Sequence, residues 1–275
     1  SDQEHPRLSV VSPCWNEAGN VARGALDEVH DFFSRQSYTY ELIIVDDGST
    51  DASWALVQEF VQGKLSVRHF AIPHGGKPQA VWAGIQAARG ELVLFADMDQ
   101  STPIGEFEKL RPSFDEGFDV VIGSRGSARD ETTLLRKLGS ILFTTFRRSL
   151  LLRGIRDTQC GFKACRREAA LHIFPRLLCM ANRKQVRGWR VSAYDVEMLV
   201  LFNLAGYRVK SVDVKWANRD VSDKGKQGEL WRYVRESLEM LVEVLRVKWN
   251  QLLGRYADLR GTARRWPVGC HEKGK

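Results

Sequence analysis

Short apolar runs alternate with stretches of helical spacing through the first half of the chain. LSVVS (8–12), ELIIVDD (41–47), VRHFAI (67–72), ELVLFAD (91–97) and DVVIG (119–123) read as strands, the most continuous of them buried on both faces. Between them, residues from Glu17 to about Phe33 carry helical spacing, and residues 51–60 predict a helix with Ser49 or Thr50 as its N-cap. Pro78 suits the first turn of a further helix that runs to Arg89 and stops at Gly90. Such alternation predicts an α/β fold with a mostly parallel central sheet flanked by helices. In sheets of that kind ligands sit beyond the carboxyl ends of the strands.

The second half is less regular. A helical pattern covers roughly residues 131–152, followed by the loop GIRDTQCG and a short strand, FKACR. A helix is expected from Asp195 to about Leu204, a strand over 207–216, and helical period over 229–256. No internal repeat and no Pro/Gly/Ser-rich linker divides the chain. The expected organisation is one α/β domain over residues 1–228 with a C-terminal amphipathic helical extension over 229–275.

Composition narrows this further. With 43% hydrophobic and 27% charged residues in 275, the chain has the balance of an ordinary folded protein. Its five cysteines (Cys14, Cys160, Cys165, Cys179, Cys270) are scattered, without a CxxC pair or a Cys/His cluster. Neither a disulfide framework nor a zinc site is expected, and a reducing compartment fits. The polar start SDQEHPR is no signal peptide, and the most apolar stretch, 138–152, carries Arg147 and Arg148 at its centre. A net charge of +7 favours an anionic partner. Nucleic acid is not expected, because no basic stripe interleaved with aromatics lies on a recognisable module.

Polar and acidic signals recur at the expected strand ends: Pro13-Cys14-Trp15-Asn16-Glu17, Asp46-Asp47-Gly48-Ser49, Asp97-Met98-Asp99 and Gly123-Ser124-Arg125. Several carboxylates at one sheet edge repel one another unless a cation sits among them. In extended backbone Asp97 and Asp99, two residues apart, face the same side. Their hard oxygens suit Mg²⁺ or Mn²⁺, with diphosphate oxygens completing the shell.

The series PCWNE, VDDGSTD, GGKPQAVWAGI, DMD, GSR and RDTQCGFK resembles inverting family 2 glycosyltransferases of the GT-A fold. Within them it is similar to the polyprenyl-phosphate branch, and GIRDTQCGFK followed by REAA to the dolichyl-phosphate β-glucosyltransferases. The resemblance spans about residues 8–216. It implies that Pro13, Asn16, Glu17, Asp46 and Asp47 hold the nucleoside, with Lys77 and Asp97 near the nucleotide. Asp97, Asp99 and Gln100 become the metal set, although mannosyl-transferring relatives carry a Gln one position later. Arg125, Arg136 and Ser140 resemble the family's set for an acceptor phosphate. Asp99 and Asp157 are the catalytic candidates, Asp157 matching an acidic position near sugar and acceptor.

The implied reaction moves a hexose, with UDP-glucose the favoured donor, to a polyprenyl or dolichyl phosphate. The alternative is a hydroxyl acceptor, with Asp157 or Asp195 as general base. A lipid acceptor implies a membrane surface as partner. The expected location is therefore cytoplasmic, peripheral on the cytoplasmic face of a membrane. Residues 131–153 and the helix over 229–256, with Trp231, Leu241, Leu245, Trp249 and Leu252, are the candidate interfacial elements; the second could instead join a homodimer.

Overall fold

The apolar runs become strands whose alternate side chains fill two cores, one on each face of a single sheet. In the computed structural model, residues 5–126, 157–158, 160–181, 194–221, 242 and 245–264 are described. β1 (Leu8–Cys14), β2 (Tyr40–Asp46), β3 (Val67–Ala71), β4 (Leu92–Phe95) and β5 (Val120–Ser124) appear where expected. β6 (Lys163–Arg166) and β7 (Val209–Asp213) follow. Val11, Ile43, Val45, Val93, Phe95 and Ile122 point into one core, whereas Val10, Leu42, Ile44, Leu92, Leu94 and Val121 point into the other. Successive strand residues face opposite sides, so a strand covered on both faces must be apolar at nearly every position.

The strand order is β3-β2-β1-β4-β6-β5-β7. β1 pairs in parallel with β2 and β4, and β2 with β3. β6 is antiparallel to both β4 and β5, while β5 and β7 are parallel. Two reversals leave β5 running the same way as β4. The carboxyl ends of β1, β2, β4 and β5 therefore share one edge. Because β6 runs backwards, the loop that precedes it, carrying Asp157 and Cys160, reaches that same edge: Lys163 lies opposite Phe95 on β4 and Ile122 on β5.

The helical stretch expected over residues 17–33 is two helices, α1 (Ala18–Ala22) and α2 (Ala25–Ser34). Gly24 breaks it at φ 87°, a left-handed conformation that glycine adopts without steric cost. α3 (Ser53–Val61) starts later than expected. Neither Ser49 nor Thr50 caps it; the Asp51 carboxylate accepts the Ser53 amide at 2.9 Å, because the chain needs residues 47–50 to turn off the sheet edge. α4 (Lys77–Ala87) carries Pro78 in its first turn as expected. Short helical turns α5 (Phe107–Leu110) and α6 (Pro112–Asp115) lead into β5. α7 (Arg167–Ile173) and α8 (Leu178–Ala181) follow β6, and α9 (Tyr194–Ala205) precedes β7.

The last described segment returns to the same core. Val247, Tyr256 and Leu259 are buried with α7 and α9 residues. The Tyr256 hydroxyl donates to Glu197 at 2.7 Å, and the Gly261 and Ala263 amides donate to the Leu204 and Ala205 carbonyls. Among the described residues no helix is long and apolar enough to cross a membrane. The expected helix over 131–152 and its arginines lie outside the described residues, as do Trp231 and Leu241.

Candidate active site

The carboxyl edge gathers the described sequence-predicted residues from the loops that follow β1, β2, β3, β4 and β5 and from the one that precedes β6. Cys14 lies beside Asp46 in the β1–β2 ladder, so the loops that follow start side by side. Asn16, at φ 52°, accepts the Thr50 amide on its side-chain oxygen at 2.8 Å, and its own amide donates to Ser49 Oγ at 3.0 Å. The Glu17 amide donates to Ser53 Oγ at 2.7 Å, and the buried Glu17 carboxylate accepts from Asn20. Asn16 and Glu17 thus clamp two loops around Pro13 and Asp46. Asp46 accepts the Ser49 amide on Oδ2, while its buried Oδ1 has no hydrogen-bond partner among the described residues. An unmatched buried acceptor is costly, and a ligand N–H would satisfy it.

Asp47 is used differently. Its two carboxylate oxygens accept the Gly75 and Gly76 amides at 2.8 Å each, and His74 Nδ1 lies 2.9 Å from Oδ2. Burial pushes Asp47 above the ordinary carboxylate range, against the opposing pull of these donors. Asp47 therefore pins the turn that launches α4. His74 also stacks on Trp15, with ring centroids 5.1 Å apart, flooring the same edge.

α4 begins at Lys77, whose ammonium is 2.5 Å from Asp97 Oδ1. Burial works against that charge, yet Asp97, Asp195 and Asp99 hold Lys77 above the ordinary lysine value. β4 ends at Phe95, two residues earlier than expected, so Asp97 and Asp99 sit in a turn closed by the Gln100 amide on the Asp97 carbonyl at 3.2 Å. They still confront each other. Burial and the neighbouring Asp97 push Asp99 up, opposed by its bonds from Ser101. Gln100 is buried with its amide donating to the Asp97 carbonyl at 2.9 Å, and its Oε1 has no partner among the described residues.

Gly161 makes this packing available: a Cβ there would stand 1.9 Å from Asp97 Oδ2. Among the described residues no group of three His, Cys, Asp or Glu side chains is gathered to hold a metal. The Asp97–Asp99 pair is an incomplete, hard-oxygen donor set. Their repulsion calls for a cation, and in this structure the Lys77 ammonium already offsets the charge of Asp97.

Arg125, just past β5, holds Asp157 in a bidentate pair, Nε–Oδ2 2.6 Å and Nη2–Oδ1 3.0 Å. Its guanidinium lies over the Trp216 ring, 5.6 Å from the centroid. Arg136 and Ser140 lie outside the described residues. Three further residues that build this side were not singled out from the sequence: Gly161, Trp216 and Lys163. Lys163 is buried, donates to Asp195 at 2.7 Å and also donates to the Cys160 carbonyl. A lysine inside an otherwise apolar strand, FKACR, was the available signal, since a buried ammonium must be paired.

Residues 9–174 match the glycosyl transferase family 2. The dolichyl-phosphate β-glucosyltransferase of Dictyostelium discoideum is 31% identical over 264 residues, covering 90% of this chain and 75% of that protein. The enzyme of that name from Drosophila melanogaster is 34% identical over 241 residues, covering 80% and 70%. Among solved structures, glucosyl-3-phosphoglycerate synthase from Mycobacterium tuberculosis in complex with Mn²⁺, UDP and glucosyl-3-phosphoglycerate shares the fold, with a TM-score of 0.59 at 17% identity over 89% of this chain and 80% of that one. The α/β sheet, the match over residues 9–174 and these likenesses converge: the chain belongs to glycosyl transferase family 2.

Proposed function

We propose that this glycosyltransferase moves a hexose, with glucose from UDP-glucose favoured, onto a polyprenyl or dolichyl phosphate at a membrane surface, inverting the anomeric centre. One observation carries the choice of a phosphate acceptor. Both carboxylates that could act as general base are already held by cations: Asp157 by Arg125 at 2.6 Å and Asp195 by Lys163 at 2.7 Å. Accepting a proton would dissolve either ion pair. A phosphate monoester needs no such base, because with a second pKa near 6 it is largely a dianion at neutral pH. It needs cations instead.

Arg125 supplies one of them. Its bonds to Asp157 use Nε and Nη2, leaving Nη1 without a partner among the described residues. Trp216 under the guanidinium and Asp157 beside it fix the plane in which an acceptor phosphate is met. On the donor side, Asp46 Oδ1 offers a buried acceptor to the nucleoside, and Lys77 lies where a diphosphate is neutralised. Mg²⁺ or Mn²⁺, when bound by Asp97, Asp99 and the diphosphate, offsets charge on the nucleoside-diphosphate leaving group. Likeness to the dolichyl-phosphate β-glucosyltransferases supports the sugar and the lipid.

The test is incubation with labelled UDP-glucose, UDP-N-acetylglucosamine and GDP-mannose, each with polyprenyl phosphate and Mg²⁺ or Mn²⁺. Label entering the organic phase from UDP-glucose alone, and lost with EDTA, is the expected result. Donor binding without organic-phase label overturns the phosphate acceptor and turns attention to hydroxyl acceptors.

A further inference from the structure

The described part of the C-terminal segment carries a helix that is buried on one side and exposed and apolar on the other. Val242 and residues 245–252 are helical. Val247 and Asn250 are buried against the body of the protein. The outer side shows Val242, Leu245, Trp249, Leu252 and Leu253 at 61%, 47%, 63%, 69% and 54% exposure. Elsewhere among the described residues the only exposed large hydrophobics are Leu65 and Val221, so the exposure is concentrated here rather than scattered. At about 100° per residue these five positions fall within an arc of roughly 100°. Arg246 flanks the arc on one side and Lys248 on the other.

We infer that this face is a docking surface for an anionic lipid bilayer, an inference that rests on the membrane-surface partner of the proposed reaction. Charge selects the occupant. The described residues 245–264 hold Arg246, Lys248, Arg255, Arg260 and Arg264, against Asp258 alone, which is already paired with Arg176. A second copy docked face to face would bring the Arg246 and Lys248 flanks of the arc against like charge. A bilayer with acidic headgroups meets it with opposite charge while the arc enters the acyl boundary. Trp249, one end apolar and one end an N–H donor, suits that boundary.

The test uses the full chain and vesicles of phosphatidylcholine alone or with about 30% phosphatidylglycerol. Wild-type protein is expected to sediment with the anionic vesicles more than with the neutral ones, and less as salt rises. Trp249→Ser with Leu252→Ser is expected to cut partitioning roughly 100-fold. Both residues are exposed, so circular dichroism and Tm should not change. Equal binding to the two vesicle types overturns the assignment, and so does undiminished binding by the folded double variant. Conversion of a wild-type dimer to a monomer by that variant, seen by ultracentrifugation without lipid, also overturns it, in favour of a second copy. Transfer to a short, water-soluble isoprenyl phosphate is measured in parallel. Its absence in the wild type would defeat the acceptor reading, while the vesicle arms would still judge the docking face.

Discussion

β2 carries an acid near each end, and the two are treated in opposite ways. Glu41, at the amino edge of the sheet, is saturated: Ser9 Oγ at 2.6 Å, the Arg89 amide at 2.7 Å and the Arg68 guanidinium at 2.9 Å all donate to it. Around it the amino edge continues as matched pairs, with Glu91 shared by Arg7 and Arg166. Asp46, at the carboxyl edge, keeps a buried oxygen without a partner among the described residues, and at the same edge the charge of Asp97 acts on Asp99. The amino edge spends its charges on holding the sheet together. The carboxyl edge leaves its own incompletely matched, and that mismatch is what a nucleotide and a cation can relieve. Burial by itself does not tell the two apart, because Glu41 and Asp46 are both buried; the inventory of partners does.

The largest effect expected from breaking this contrast is at Asp99. Asp99→Ala should lower transfer at least about 100-fold, the scale of several kcal/mol of lost charge compensation. Its pKa is raised in the fold, so ionising it costs stability as pH rises from the unfolded value through the folded one. Removing it should therefore leave Tm unchanged or higher, read by thermal unfolding at neutral pH. A large drop in Tm would make Asp99 a structural acid like Glu41.

Gly161→Ala follows. Its Cβ would collide with the Asp97 carboxylate, and displacing a reacting group by about 1 Å costs on the order of 100-fold. A loss of kcat with donor KM little changed is expected, and wild-type kinetics would mean that the Asp97 position does not matter.

At the opposite edge, Glu41→Ala should cost about 2 kcal/mol in urea unfolding, from donors left unmatched, with activity per folded molecule unchanged. A selective loss of activity there would erase the division of labour.

The smallest effect is at Asp51, a carboxyl-edge acid used for structure. Burial raises its pKa, but bonds from Ser53 and Ala18 lower it further, and the net shift is downward. Its stabilisation is thus present above the unfolded carboxylate pKa and is lost as pH falls through the lowered folded value. Being exposed, it is screened, so Asp51→Asn should cost less than about 1 kcal/mol near pH 7. The difference from wild type should vanish in acid; a pH-independent difference would sink the electrostatic account.

Much of this was legible before any coordinates. Runs such as LIIV and LVLF, short, rich in branched residues and bounded by turn signals, read as strands covered on both faces, and the turn residues after them mark the edge where a ligand binds. The acidic pair at 97 and 99 announced itself through its place after an apolar strand, although the turn that holds it does not follow from alternation. Asp47 was legible as an edge residue but not as the pin of the Gly75–Gly76 turn, since its donors arrive from 28 and 29 residues away.

What the sequence by itself determined is therefore local: strand identity from unbroken apolarity, the first turn of α4 from Pro78, and a motif series that names the family. What only the tertiary structure decided is the pairing. The insertion of β6, antiparallel, between β4 and β5 brings Asp157 to Arg125 across 32 residues and gives Lys163 a view of Asp195 across another 32. No local period encodes strand direction or the partner of a buried charge. Both depend on which long-range contacts bury the most apolar surface while leaving the fewest polar groups unmatched.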